Sequence, residues 1–227
     1  MCLDIEHAIK VKLITSVTDD GIRDGEDGYK LVKEYFSKVD QRLDTLRSIR
    51  AHKAGEYCKD LIEKYYPYFP IWVLVEVISF GDLIHLCAYY DQSRNKDILI
   101  DGKFMNVIRD FRNASAHSNC LLNKAVAPME SSKQPDVRIA KFVQNISTIG
   151  KESRRKYLHI TFCYNMVVLF YAYTHYMDPE IRKKRFAELR IFMEDRVARH
   201  KDYFSGNPRL CGIYRFMKKV VDNLCCD

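Results

Sequence analysis

The chain has 227 residues, 47% hydrophobic and 30% charged, which excludes a disordered chain and leaves ample apolar material for a core. Only nine Gly and six Pro interrupt it, so long periodic stretches are expected to form helices. The net charge of +7 is unevenly placed: up to Val137, 19 Lys and Arg face 21 Asp and Glu, whereas from Arg138 on 18 face 9. A basic half beside a near-neutral half suits an acidic partner such as nucleic acid, although solvated basic helices are common with no partner at all.

In chain order, Leu3, Ile5, Ala8, Ile9, Leu13 and Val17 share one face and predict an amphipathic helix over residues 3–17. The acidic, glycine-rich run 18–28 lacks the alternating oxygen ligands of a calcium loop and reads as a solvated loop. A second helix is expected over 29–50, on Tyr29, Val32, Tyr35, Phe36, Val39, Leu43 and Leu46. A third runs over 55–65 and stops at Tyr66-Pro67-Tyr68-Phe69-Pro70. Pro70 suits the first turn of the next helix, 71–78, whose apolar run is too short for a bilayer. Glu76 inside that run is expected to need a partner, an arginine or a cap. Asp82 is the expected N-cap of a segment ending near Tyr90, and 91–101 a polar connection. The following helix, from about Lys103, places Phe104, Val107, Ile108 and Phe111 inward.

Residues 123–136, with Pro128 and Pro135, read as a loop, and a short helix follows from Val137 toward Gly150. The most apolar stretch is 160–177, but Tyr164, Asn165, Tyr171, Tyr173, Thr174 and His175 make it a buried central helix, not a membrane span. A basic helix from Asp178-Pro179-Glu180 to about Lys201 and a last one over 211–224 complete the chain. No composition break divides it, so the expectation is an all-α bundle forming one domain over 1–227. The eight cysteines form no C-x-x-C pair, which favours reduced thiols, several in the core, over zinc or a disulfide framework. Asp4, Glu6 and Lys10 interrupt the first apolar turn, so no secretory signal is read and a cytoplasmic location is expected.

Residues Arg112-Asn113-Ala114-Ser115-Ala116-His117 carry the chemistry. Arginine forks onto phosphate oxygens, and histidine gives or takes a proton near neutral pH. On a helix Arg109, Asn113 and His117 share a face, Arg112 reaches them from the flank, and the small residues between admit another surface. Spacing alone does not single this pair out, because Arg47 with His52 and Arg154 with His159 fit equally well. The amide of Asn113 distinguishes it. A polar helix end whose His and Asn bond to neighbouring backbone remains the competing reading.

This segment, followed by Leu121-Leu122-Asn123, resembles the RN-x-x-A-H…L-x-N signature of the HEPN superfamily. More narrowly the chain resembles the Abi-like abortive-infection proteins of bacteria, of the AbiF/AbiD type. Residues 3–10, 72–81 and the aromatic helix 164–176 agree in order. Proteins of that kind carry a helical segment upstream of Ile5-Glu6-His7-Ala8, so the resemblance implies a truncated or naturally short form.

The resemblance implies an HEPN-like bundle and a metal-independent endoribonuclease of an antiphage or toxin system, without cofactor or metal. His117 would act as base or acid, Arg112 would stabilise the phosphorane, and Asn113 would orient the phosphate or the imidazole. It further implies a homodimer with two motifs facing across a cleft, an RNA substrate, and a small structured noncoding RNA as a further partner. Arg109 and Lys124 are candidates for flanking phosphates, and Arg182, Lys183, Lys184 and Arg185 for gathering RNA electrostatically. Glu6 and Asn123 match family positions as supporting partners, with a buried salt bridge or a helix cap as the alternative. Two other classes stay open: a noncatalytic RNA-binding module using the motif as a phosphate clamp, and a partner of a nucleotidyltransferase.

Overall fold

Ile5, Ile9, Leu13 and Val17 recur every four residues and all four are buried, so the first segment is helical as its period requires. The computed structural model describes residues 1–24, 28–38, 42–52 and 56–225. In it helix α1 spans Cys2–Asp24 and absorbs Thr18 to Gly21, which the sequence assigns to a solvated loop. The reason lies in Asp20, a buried carboxylate. It accepts hydrogen bonds from the Tyr90 hydroxyl (2.6 Å), the Lys96 ammonium (2.8 Å) and Arg23 (2.9 Å), so its desolvation is compensated. Residues 25–27 lie outside the described residues.

The single helix expected over 29–50 is two, α2 (Tyr29–Lys38) and α3 (Arg42–His52). The residues between, including Val39, are outside the description. Helix α4 (Glu56–Tyr65) and helix α5 (Ile71–Val77) follow. Pro70 is the N-cap of α5, one position before its first turn. Glu76 needs no partner of the kind expected, because it points outward with Trp72, four residues away on the same exposed face. Helix α6 runs Phe80–Arg94, four residues beyond its expected end, and closes on Asn95 in the left-handed conformation. Its N-cap is Ser79 and not Asp82: the serine oxygen accepts from the Asp82 N–H (3.1 Å) and its hydroxyl donates to the Asp82 carboxylate (2.7 Å). Asp91 accepts from the backbone N–H groups of Ile98 and Leu99 (2.8 and 3.0 Å), which orders the connection to helix α7 (Gly102–Ala116).

Beyond α7 come a 3-10 turn (Leu121–Lys124), helix α8 (Val137–Gln144), helix α9 (Lys151–Leu158) and helix α10 (Thr161–Tyr176). Helix α11 (Pro179–Ile191) continues as a π-helix over Phe192–Val197, and helix α12 (Pro208–Leu224) is last, capped by the side chain of Asn207. The fold is all-α; among the described residues the sole extended pairing is one bridge between Pro128 and Ile160. No described helix is long and apolar enough to cross a membrane.

The chain divides into two compact units, one of Glu6–Arg109 and one of Met1–Ile5 with Asp110–Asp227. In the first, α2 packs on α5 and α6, and α4 on α3 and α5, around Leu31, Phe36, Leu74, Leu83 and Leu86. In the second, α10 is the central helix, packed against α8, α9, α11 and α12. Its Cys163, Val167, Val168, Leu169, Phe170, Ala172 and Tyr173 are buried, each large side chain contributing about 1.5–3 kcal/mol of burial. The described cysteines are free thiols. Cys163 is a core residue, its pKa pushed up to about 12 by burial.

Candidate functional site

The motif lies at the C-terminal end of α7, where the helix must stop. Phe104, Met105, Ile108 and Phe111 are buried, and the residues that follow are small or polar, so the last turn emerges into solvent. Ala116 is the last helical residue. His117 still bonds back in helical fashion, its N–H donating to the Asn113 carbonyl (3.0 Å). Ser118 then turns left-handed at φ 53°. Its N–H donates to the Ser115 carbonyl (3.2 Å), and the Asn119 N–H donates to the Ala114 carbonyl (2.8 Å). That pair of bonds is the Schellman closure, and it makes His117 the C-cap residue. Ser118 and Asn119 escaped the sequence reading because a serine, not a glycine, occupies the left-handed position.

Arg112 is half-buried, while Asn113 and His117 are exposed. The Arg112 guanidinium donates to the side-chain oxygen of Asn113 at 3.5 Å, so these two groups stand side by side. The imidazole of His117 makes no hydrogen bond among the described residues. The competing pairs fare differently. His159 is held at both ring nitrogens: Nδ1 donates to the Arg155 carbonyl (2.7 Å) and Nε2 lies 3.2 Å from the Gln134 amide oxygen. That ring is a structural tie between α9 and the preceding loop, as a basic helix end requires. The side chain of His52 lies outside the described residues. Of the two arginine–histidine pairs whose histidine side chain is described, the one at 112–117 keeps an exposed imidazole with both nitrogens available.

The remaining candidates separate by unit. In the first unit, Arg109 is half-buried, its stem passing 3.6 Å from the position of a Cβ on Gly81. Glu6 is buried in that unit with the Lys10 ammonium 3.8 Å away, the salt-bridge arrangement. In the second unit, Asn123 is exposed in the 3-10 turn, and Lys124 ends that turn, its side chain outside the description. The basic run of α11 is not uniform. Lys183 and Lys184 are exposed, whereas Arg182 donates to the Thr174 carbonyl (3.1 Å). Arg185 bonds to Glu188 (2.7 Å) and approaches Asp4 (3.5 Å). Asp4 also accepts from the Tyr173 hydroxyl (2.9 Å). Despite desolvation, which opposes it, the Tyr173 bond and the nearby positive charges hold the Asp4 carboxyl below its ordinary pKa. Two of the four basic residues therefore help to hold the fold, and two project freely into solvent. Among the described residues no group of three or more His, Cys, Asp or Glu side chains converges on a point where a metal ion could be held.

Chemically, the end of α7 offers a fixed cation, an amide beside it and an exposed acid–base group, all within one and a half helical turns. Apolar side chains are exposed close by in the chain, Leu121, Leu122 and Val126. The family model described as Abi-like protein matches residues 1–123. The match takes in all of the first unit and the motif, and stops at Asn123, so α8 to α12 lie beyond it. No curated protein and no solved structure matches the chain.

Proposed function

The chain belongs to the Abi-like protein family, which suggests an abortive-infection role, and from this premise we propose that it is a metal-independent HEPN-type endoribonuclease acting through Arg112, Asn113 and His117. The observation that carries the proposal is the exposed, unengaged imidazole of His117, held by a capped helix end one turn from the Arg112–Asn113 pair.

The ribose 2′-oxygen attacks the adjacent phosphorus, and the bond from phosphorus to the 5′-oxygen breaks. The proton of the 2′-OH passes to a base, and the departing 5′-oxygen takes a proton from an acid. Arg112 neutralises the extra charge on the pentavalent phosphorane, and Asn113 orients a phosphate oxygen or the ring of His117. The products end in a 2′,3′-cyclic phosphate and a 5′-OH, and DNA is spared because it lacks the nucleophile. One histidine serves one of the two proton transfers at a time, so a second copy of the chain completes the site. Exposed Leu121, Leu122 and Val126 beside the motif, together with small Ala114 and Ala116, favour such a face.

The test is cleavage of end-labelled RNA in EDTA. Wild-type protein is expected to cut with cyclic-phosphate ends, at a rate per chain that rises with protein concentration through the micromolar range. His117→Ala is expected to be slower by about 10²–10⁴-fold. Tight RNA binding by both proteins without cleavage by either would replace the nuclease with a binding module. Cleavage by a strictly monomeric protein would remove the shared site.

A further inference from the structure

Away from the motif, the first unit carries a groove of about 580 Å³ between α2 and the turn before α5. Its lining is Tyr29, Lys30, Val32, Lys33, Phe36 and Ser37 from α2, and Pro67, Tyr68 and Phe69 from the turn. The two sides differ in character along the helix period. Val32, Phe36 and Phe69 are buried and form the apolar floor. Tyr29, Lys33 and Ser37 recur every four residues and form an exposed rim. Opposite stands Tyr68, an aromatic ring 68% exposed although its neighbour Phe69 is buried. An exposed tyrosine beside an apolar slot, with Lys33 on its rim and no carboxylate among the described lining residues, offers a stacking face next to a positive charge.

We propose that this groove binds a nucleotide of single-stranded RNA, the base stacked on Tyr68 over the apolar floor and the phosphate drawn to Lys33. Charge and ring together decide between occupants: an apolar helix or peptide makes no use of the Lys33 ammonium, whereas a nucleotide supplies a flat π face and an anion together. The volume lies within the range of sites that enclose small ligands. The inference rests on the proposal that RNA is the ligand of this chain and gives that RNA a second holding point, which would favour unpaired segments over duplex, whose bases are not free to stack.

The experiment uses the full chain with His117→Ala, so that RNA is not cut, and fluorescein-labelled decauridylate as the probe, read by anisotropy. Tyr68→Ala in this background is expected to weaken binding by about tenfold or more, and Tyr68→Trp to preserve it. Lys33→Gln is expected to weaken binding and lower the slope of log affinity against log salt by about 0.7. Tyr68 is exposed and Lys33 lies on a solvent rim, so neither change removes core packing. Decauridylate binding indifferent to both changes, or no binding at all, overturns the proposal, and indifference is also the outcome if the groove takes an apolar peptide. The two proposals fail separately. Wild-type cleavage with Tyr68-independent binding sinks the groove alone, and Tyr68-dependent binding without wild-type cleavage sinks the nuclease alone.

Discussion

Ser118 shows how much of a site can hang on one backbone conformation. With φ at 53° it occupies a region where a β-carbon crowds the following carbonyl, and it stays there because two closing hydrogen bonds over-determine the turn. The same closure holds His117 at the helix end. Ser118→Gly accepts the conformation without strain and should leave fold and cleavage unchanged. Ser118→Val cannot accept it: stability measured by urea unfolding should fall by about 1–2 kcal/mol. If His117 acts in RNA cleavage as proposed, displacing the cap should also cost up to about 100-fold in that cleavage, since small misplacements of a reacting group are expensive. Cleavage by Ser118→Val at the wild-type rate would show that the cap does not position the histidine. The proposed set Arg112, Asn113 and His117 rests on the sequence, because residue type and order carry the chemistry asked of it. Asn113 sets it apart from Arg154 and His159 in the sequence, but the engagement of the His159 ring was not legible there. It depends on Gln134, a residue 25 positions away from His159 that occupies the second nitrogen of that ring.

At the scale of elements, the second unit turns on how closely α9 and α12 approach. Gly212 of α12 is buried, and a β-carbon there would collide with the hydroxyl of Tyr157 on α9. The Tyr157 ring stacks on Phe216, one turn further along α12, at 5.0 Å between centroids, so it cannot withdraw without losing that contact. Gly212→Ala should therefore destabilise the protein by about 1–3 kcal/mol although alanine is the better helix former. Tyr157→Phe removes the colliding hydroxyl and should recover part of the loss in the double variant, read as the coupling in a thermal or urea double-mutant cycle. Additive effects would show that the two helices are not in the contact described. The helices themselves were readable from their periods. Their ends were less so: α1 runs on through an acidic, glycine-containing stretch that looks like a loop, because Asp20 finds Lys96 and Tyr90 far away in sequence.

For the whole molecule, that buried carboxylate sets a pH dependence. The hydrogen bond from the Lys96 ammonium, with the one from Tyr90, holds Asp20 below its ordinary pKa, about 3.9 when unperturbed. A carboxyl whose folded pKa is depressed contributes stability that is complete above its unfolded value and is lost as pH falls through the folded one. Unfolding free energy should accordingly decline below about pH 4. Asp20→Asn should lower stability at neutral pH and flatten that acid limb, which urea titrations across pH would register. An acid limb unchanged by the substitution would mean that other carboxylates govern it. The charge of +7 acts over longer distances. It is concentrated beyond Val137, where Lys183 and Lys184 remain exposed while Arg182 and Arg185 are spent on Thr174, Glu188 and Asp4.

Residue order alone settled the all-α class, the inward positions Ile5, Ile9, Leu13 and Val17 of α1, and the Abi-like family, since these follow from local period and from side-chain types in fixed spacing. Leu3, expected on the same face of α1, is 66% exposed. Long-range packing was needed to settle which polar groups are consumed and which are left to act. Desolvation of Asp20 extends a helix, burial of Phe36 and Phe69 leaves Tyr68 outside, and the Schellman closure sets His117 at a helix end. Each of these depends on the energy of contacts between residues distant in the chain, or on a backbone angle that serine seldom adopts, and neither is written in a local pattern.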